Sequence, residues 1–214
     1  MKENLLIWVS LAIILTNLYA ISSSRLTYMI KAVAAQGFLL SILPLLLINE
    51  KNIIEMLILM FVGVVIKGLV IPHYLLKTIK DIKVQRNVNP LIGFSFSIIY
   101  ALVTSVLSFY VVKKIGSNHM FSSAQAFVAI ATAFIGLYII VARRNVVSQI
   151  IGYLILENSG FILSLSVAVS QPLFVEMGVL LDLLVGVFIM TMAVNHIYSE
   201  HNSVEVDSLE RLTQ

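Results

Sequence analysis

Seven apolar stretches, each close to the length of one bilayer crossing, decide what this chain can become. They run over about 4–22, 28–48, 53–75, 91–112, 124–142, 147–169 and 174–197 of the 214 residues. Apolar runs of roughly 18 or more residues read as membrane-spanning helices. Inside lipid every backbone N–H and C=O must be satisfied within its own segment, which leaves the helix as the solution for such runs. The expected fold is therefore an all-α polytopic membrane protein of about seven transmembrane helices. Only 12% of residues are charged against 59% hydrophobic, and a soluble domain carries about a quarter charged. Too little polar sequence is left for a soluble catalytic domain.

The first stretch follows Lys2 and has the length of a secretory leader. Thr16-Asn17-Leu18-Tyr19-Ala20 lacks the small residue expected two positions before a cleavage site. The expectation is a retained first helix. Cysteine is absent, which excludes disulfides, thiolate metal sites and cysteine nucleophiles. No Walker loop, dinucleotide glycine fingerprint or nucleophile elbow occurs. The net charge of +3 sits mostly at helix ends and reads as topology, with no nucleic-acid partner. Arg25, Lys77, Lys80, Lys83, Arg86, Arg143, Arg144 and Arg211 fall on one face, against Lys2, Lys51, Lys113 and Lys114 on the other. The basic excess marks the cytoplasmic side. That puts the N-terminus outside, the C-terminus and its polar tail inside, and the protein in a prokaryotic inner membrane.

Two carboxylates lie deep within consecutive stretches. Glu157 is mid-span in 147–169, and Asp182 is well inside 174–197. Ionisable groups at such depth are costly, face protein or water, and mark ion pathways. Tyr153, Glu157, Gly160 and Ser164 share one helical stripe, with Asn158 beside it. Gly160 is expected to admit a neighbouring helix, and Gly178 and Gly186 flank Asp182 at i−4 and i+4. Glu176 sits nearer the outer end of the last span. Lys67, in Val64-Val65-Ile66-Lys67-Gly68-Leu69-Val70-Ile71-Pro72, is too deep to reach water easily, so Glu157 or Asp182 should hold it. Lys31 is shallower and snorkels. His73 and His196 fall near span ends and read as interfacial. Carboxylates near an ammonium exchange protons in a coupled way, as a proton relay requires. The opposing reading is that buried polar groups merely lock helix packing.

A shift of 123 residues lays Gly37-Phe38-Leu39-Leu40-Ser41 on Gly160-Phe161-Ile162-Leu163-Ser164, and Val62-Gly63-Val64 on Val185-Gly186-Val187. Such a shift describes a parallel three-helix repeat. Ala34 and Leu59 would then stand where the second copy has Glu157 and Asp182.

With Arg143-Arg144-Asn145, Gly152, Glu157, Asn158 and the Asp182-to-Gly186 spacing in view, the last three spans resemble a known unit. They are similar to the K subunit (chain 4L) of bacterial complex I and to the C subunit of multisubunit sodium/proton antiporters. Glu157 follows Gly152 by five residues, where the complex I subunit usually has two. The whole length, through Tyr153–Asn158, Glu176–Asp182 and Lys67–Pro72, resembles hydrogenase-4 component E over most of the chain. The resemblance implies an N-terminal four-helix region (1–112), a chain-4L-like ion-pathway region (113–198) and a polar tail (199–214). It further implies a non-catalytic membrane-arm subunit with no cofactor of its own. Antiporter-like subunits would be its partners, and a hydrogenase-like peripheral arm would hold nickel–iron and iron–sulfur centres. Glu157, Asp182 and Lys67 would line a proton or sodium path, with Tyr153, Asn158 and Glu176 as auxiliary polar groups. The competing functions are a stand-alone secondary ion transporter and a purely structural membrane anchor.

Overall fold

The computed structural model describes residues 2–47, 53–81, 93–115, 123–167, 186–188 and 190–194. Among them all regular structure is helical, apart from isolated bridge residues in turns. Helix α1 (Lys2–Ser22) turns through three residues into α2 (Leu26–Leu47). The third span is one long rod of α3 (Ile53–Gly63), a π-helical segment (Val64–Val70) and α4 (Ile71–Asp81). Helices α5 (Phe94–Ile115), α6 (Ser123–Ala142) and α7 (Val146–Val167) follow. Six helices among the described residues are long and apolar enough to cross a membrane. The expected seventh span falls largely outside the described residues.

The third span is longer than its hydropathy suggested. It continues to Asp81, so Lys77 and Lys80 stand on helix α4 and not in a loop. The π segment has a local cause. A proline ring clashes with the carbonyl four residues back in a regular α-helix, and Pro72 is the second residue after this segment. Ile71 N–H bonds to the Ile66 carbonyl, five residues back, in π register. The widened turn carries Lys67 in its middle.

Helices α2 and α7 lie at the centre. Helix α1 packs on α2 and α6, α5 covers α1 and α6, and the third span lies along α2. The α6–α7 hairpin is the tightest pair. A Cβ on Gly136 would stand 2.7 Å from Leu156 N, and one on Gly152 would stand 2.9 Å from Ile140 N. Backbones meet at this crossing, as small residues allow in membranes. Among the described residues, nothing lies within 4 Å of a Cβ added to Gly160, which was expected to play that part. It borders an apolar groove of about 220 Å³ with Ala129, Ala133 and Leu163.

The α6–α7 turn corrects one reading of charge. Arg143 is only 1% exposed. Its Nη2 donates to the Ile21 carbonyl at 2.7 Å, where the end of α1 presents the negative pole of its dipole. Burial pulls this guanidinium below its ordinary value, opposed by Tyr138; arginine stays charged regardless. Asn145 caps α7 by accepting from Val147 N–H at 2.8 Å. Arg143 is therefore a structural clamp between two hairpins. Arg143→Met should lower stability by about 1.5–3 kcal/mol, the range for a lost charged hydrogen bond, while Arg144→Met should cost less. Thermal unfolding of the two variants in detergent checks this, and equal midpoints would refute the clamp.

The 123-residue shift lays α1 on α6 and α2 on α7 to within about one turn. The environments of the matched glycines differ. A Cβ on Gly37 would meet Lys67 Cβ at 2.8 Å and the Lys67 carbonyl oxygen at 2.9 Å, whereas one on Gly160 meets no described residue within 4 Å.

Candidate functional site

Lys67 and Glu157 meet in the interior of the bundle. Lys67 Nζ donates to Glu157 Oε1 at 2.9 Å and to Oε2 at 3.2 Å. The side chains are 5% and 10% exposed. Gly37 of α2 makes the meeting possible. Having no side chain, it lets the π segment lie against α2, which aims Lys67 across towards α7. On the other side of the ammonium, the Phe161 ring centroid is 4.5 Å away, an attractive cation–π distance. Asn158 Oδ1 lies at 3.5 Å. A carboxylate, an aromatic face and an amide oxygen thus share one buried cation, which suits a group that would be costly alone.

A cavity of about 10 Å³ adjoins the pair, lined by Val33, Lys67, Ile71, Leu154, Glu157 and Asn158. It is large enough for one water, and its polar lining gives that water partners.

Beyond Asn158 the polar groups continue. Asn158 Nδ2 donates to Gln36 Oε1 at 3.2 Å. Gln36 Nε2 donates to Asn17 Oδ1 at 2.7 Å. Asn17 Nδ2 donates to Thr132 Oγ1 at 2.7 Å. All four residues are buried. The line starts in the third span and touches α7, α2, α1 and α6 in turn. Gln36, Thr132 and Glu157 are all near the middle of their spans.

Of the predicted site residues, Lys67, Glu157 and Asn158 come together. Tyr153 is half-buried one turn before Glu157, packed against the main apolar cluster, with its hydroxyl region 3.9 Å from a Cβ on Gly186. Asp182 and Glu176 lie outside the described residues, as do His119, His196 and His201. The adjoining residues 186–188 run beside the third span, where Phe188 and Tyr74 place their ring centroids 4.7 Å apart. Lys31 is exposed, 6.0 Å from the Tyr28 ring. Sequence reasoning missed Asn17, Gln36 and Thr132. A signal was available: Asn17 and Gln36 are uncharged amides well inside two successive apolar spans, where an unpaired amide is costly.

Residues 124–214 match the family model described as NADH-ubiquinone/plastoquinone oxidoreductase chain 4L. The C-terminal part of this chain, with α6, α7 and Glu157, is thus a chain-4L-like region, as the last three spans suggested. Hydrogenase-4 component E of Escherichia coli K12 is 32% identical over 85 residues, covering 40% of this chain and 39% of that protein. The same figures hold for component E of Shigella flexneri. The similarity to component E is therefore narrower than the expected match over most of the chain, and the alignment reaches about two fifths of component E's length. An uncharacterized protein of Mycobacterium tuberculosis is 22% identical over 202 residues, covering 94% of this chain and 92% of its own length. No solved structure matches the chain.

Proposed function

We propose that this chain is a non-catalytic membrane-arm subunit of a hydrogenase-4-like or complex I-like redox complex. In it, Glu157, Lys67 and Asp182 form part of an ion path coupled to electron transfer. The observation that carries the reading is the buried Lys67–Glu157 pair inside a bundle whose C-terminal part is chain-4L-like.

The chemistry follows from the pair. With Glu157 ionised, the ammonium is neutralised at contact distance. A proton arriving through the small cavity neutralises Glu157 and removes the main anchor of Lys67. The ammonium then leans on Asn158 and Phe161, and a second carboxylate within reach can compete for it. In this reading Asp182, on the expected last span, is the carboxylate assigned to that role. Each protonation changes the free energy of the next, which makes the groups a relay. Redox chemistry would belong to a peripheral arm with nickel–iron and iron–sulfur centres, and antiporter-like subunits would continue the path. On the basic excess, we read the N-terminus as outside and the C-terminus as cytoplasmic in a prokaryotic inner membrane.

Extraction from the native membrane in mild detergent, followed by mass spectrometry of whatever accompanies the chain, tests the proposal. Antiporter-like subunits and a nickel–iron or iron–sulfur arm are the expected companions. Recovery alone or as a homo-oligomer would overturn it in favour of a self-sufficient transporter.

A further inference from the structure

The amide line from Asn158 to Thr132 has a polarity that its own residues do not set. An amide side chain can point either way, offering oxygen or NH₂ to a given neighbour. An ammonium can only donate. Lys67 therefore obliges Asn158 to present its oxygen, which leaves the Asn158 NH₂ for Gln36. Gln36 must then answer with oxygen, its NH₂ must face Asn17, and the Asn17 NH₂ must end on the Thr132 hydroxyl. The observed donors and acceptors run in this order at every step. Three amide dipoles thus align with their negative ends towards the cation, and hydrogen bonds in such a series polarise one another.

We propose that Asn17, Gln36 and Thr132 are positioning residues for the Lys67–Glu157 pair, acting through Asn158, so that α1 and α2 are working parts of the ion path. The inference rests on the relay reading above. Gln36 is the hinge of the argument. Without its oxygen, the Asn158 NH₂ loses its buried acceptor and the amide is held by Lys67 alone. The third oxygen on Lys67 is then less firmly placed, and the ammonium settles differently on Glu157. The line also contains no ionisable group beyond Lys67, so its task is to orient a charge and not to carry one.

Gln36→Met keeps the length of the side chain and removes both hydrogen bonds. Thr132→Val keeps shape and removes only the terminal hydroxyl. Both are made in the full complex, in membrane vesicles. Two quantities are read: ion movement per redox turnover, and the C=O stretch of protonated Glu157 in pH-jump infrared difference spectra, identified by its loss in Glu157→Gln. The expected result for Gln36→Met is normal assembly, a shifted Glu157 band and coupling lowered about threefold, the effect of the one interhelical hydrogen bond that reaches Asn158. Thr132→Val should shift the band in the same direction by less. An assembled Gln36→Met complex with an unmoved band would overturn the proposal and leave the amides as packing. Should Gln36→Met fail to assemble, the Thr132→Val band decides: a shift supports positioning and an unmoved band overturns it. If Glu157→Gln left coupling unchanged, the relay reading would fall, while the infrared shift would still report whether Gln36 positions the pair.

Discussion

Lys67→Met is expected to destabilise the protein by about 3–5 kcal/mol, the cost of breaking a buried ion pair from one side. Glu157 would remain between α7 and the third span with its cation gone, and it would have to take up a proton or admit water to stay. Asn158 would lose its donor, and Phe161 would lose the charge over its face. The companion experiment is the double variant Lys67→Met/Glu157→Leu. Replacing both partners by apolar groups is often neutral or stabilising, so the double variant should recover most of the loss. Lys31→Met is the control, because Lys31 is exposed and should leave stability nearly unchanged. Unfolding midpoints in detergent give the comparison. A single variant as stable as the parent, or a double variant no better than the single, would mean that the pair contributes nothing.

The second large effect concerns coupling. Glu157→Gln keeps size and an amide oxygen for Lys67 but removes the titrating group. Assembly should survive, and ion movement per redox turnover should fall by at least about tenfold, a modest loss beside the 10²–10⁴ typical of a positioned acid or base. Asp182→Asn should act in the same direction. Inverted vesicles supplied with the electron donor of the complex provide the measurement. Variants that assemble and pump like the parent would leave a structural anchor as the better description.

The spans were legible because hydropathy over twenty residues is a strong signal and the bilayer allows few answers. The Lys67–Glu157 contact was half legible. A lysine at that depth demanded a carboxylate, and the sequence offered two. The choice of Glu157 depended on how far the π segment rotates Lys67, and one proline after an apolar run does not give that angle. Gly160 meets no helix among the described residues, and the close crossing there is at Gly136 and Gly152, where the α6–α7 hairpin brings backbones together. Arg143 was read as a topology marker because two adjacent arginines in a short turn normally reach water. Its burial depends on the end of α1, which lies over a hundred residues away in sequence. Asn17, Gln36 and Thr132 went unread for the same reason. Each is ordinary on its own helix, and only the packing of four helices makes them consecutive.

The Lys67–Glu157 contact also sets a problem for synthesis. The two residues are 90 positions apart. At about 5–20 residues per second, the lysine leaves the ribosome roughly five to twenty seconds before the glutamate that neutralises it. During that interval the third span has no carboxylate from α7. The ion pair is therefore a late contact: it can close only after the chain-4L-like region has begun to enter the membrane.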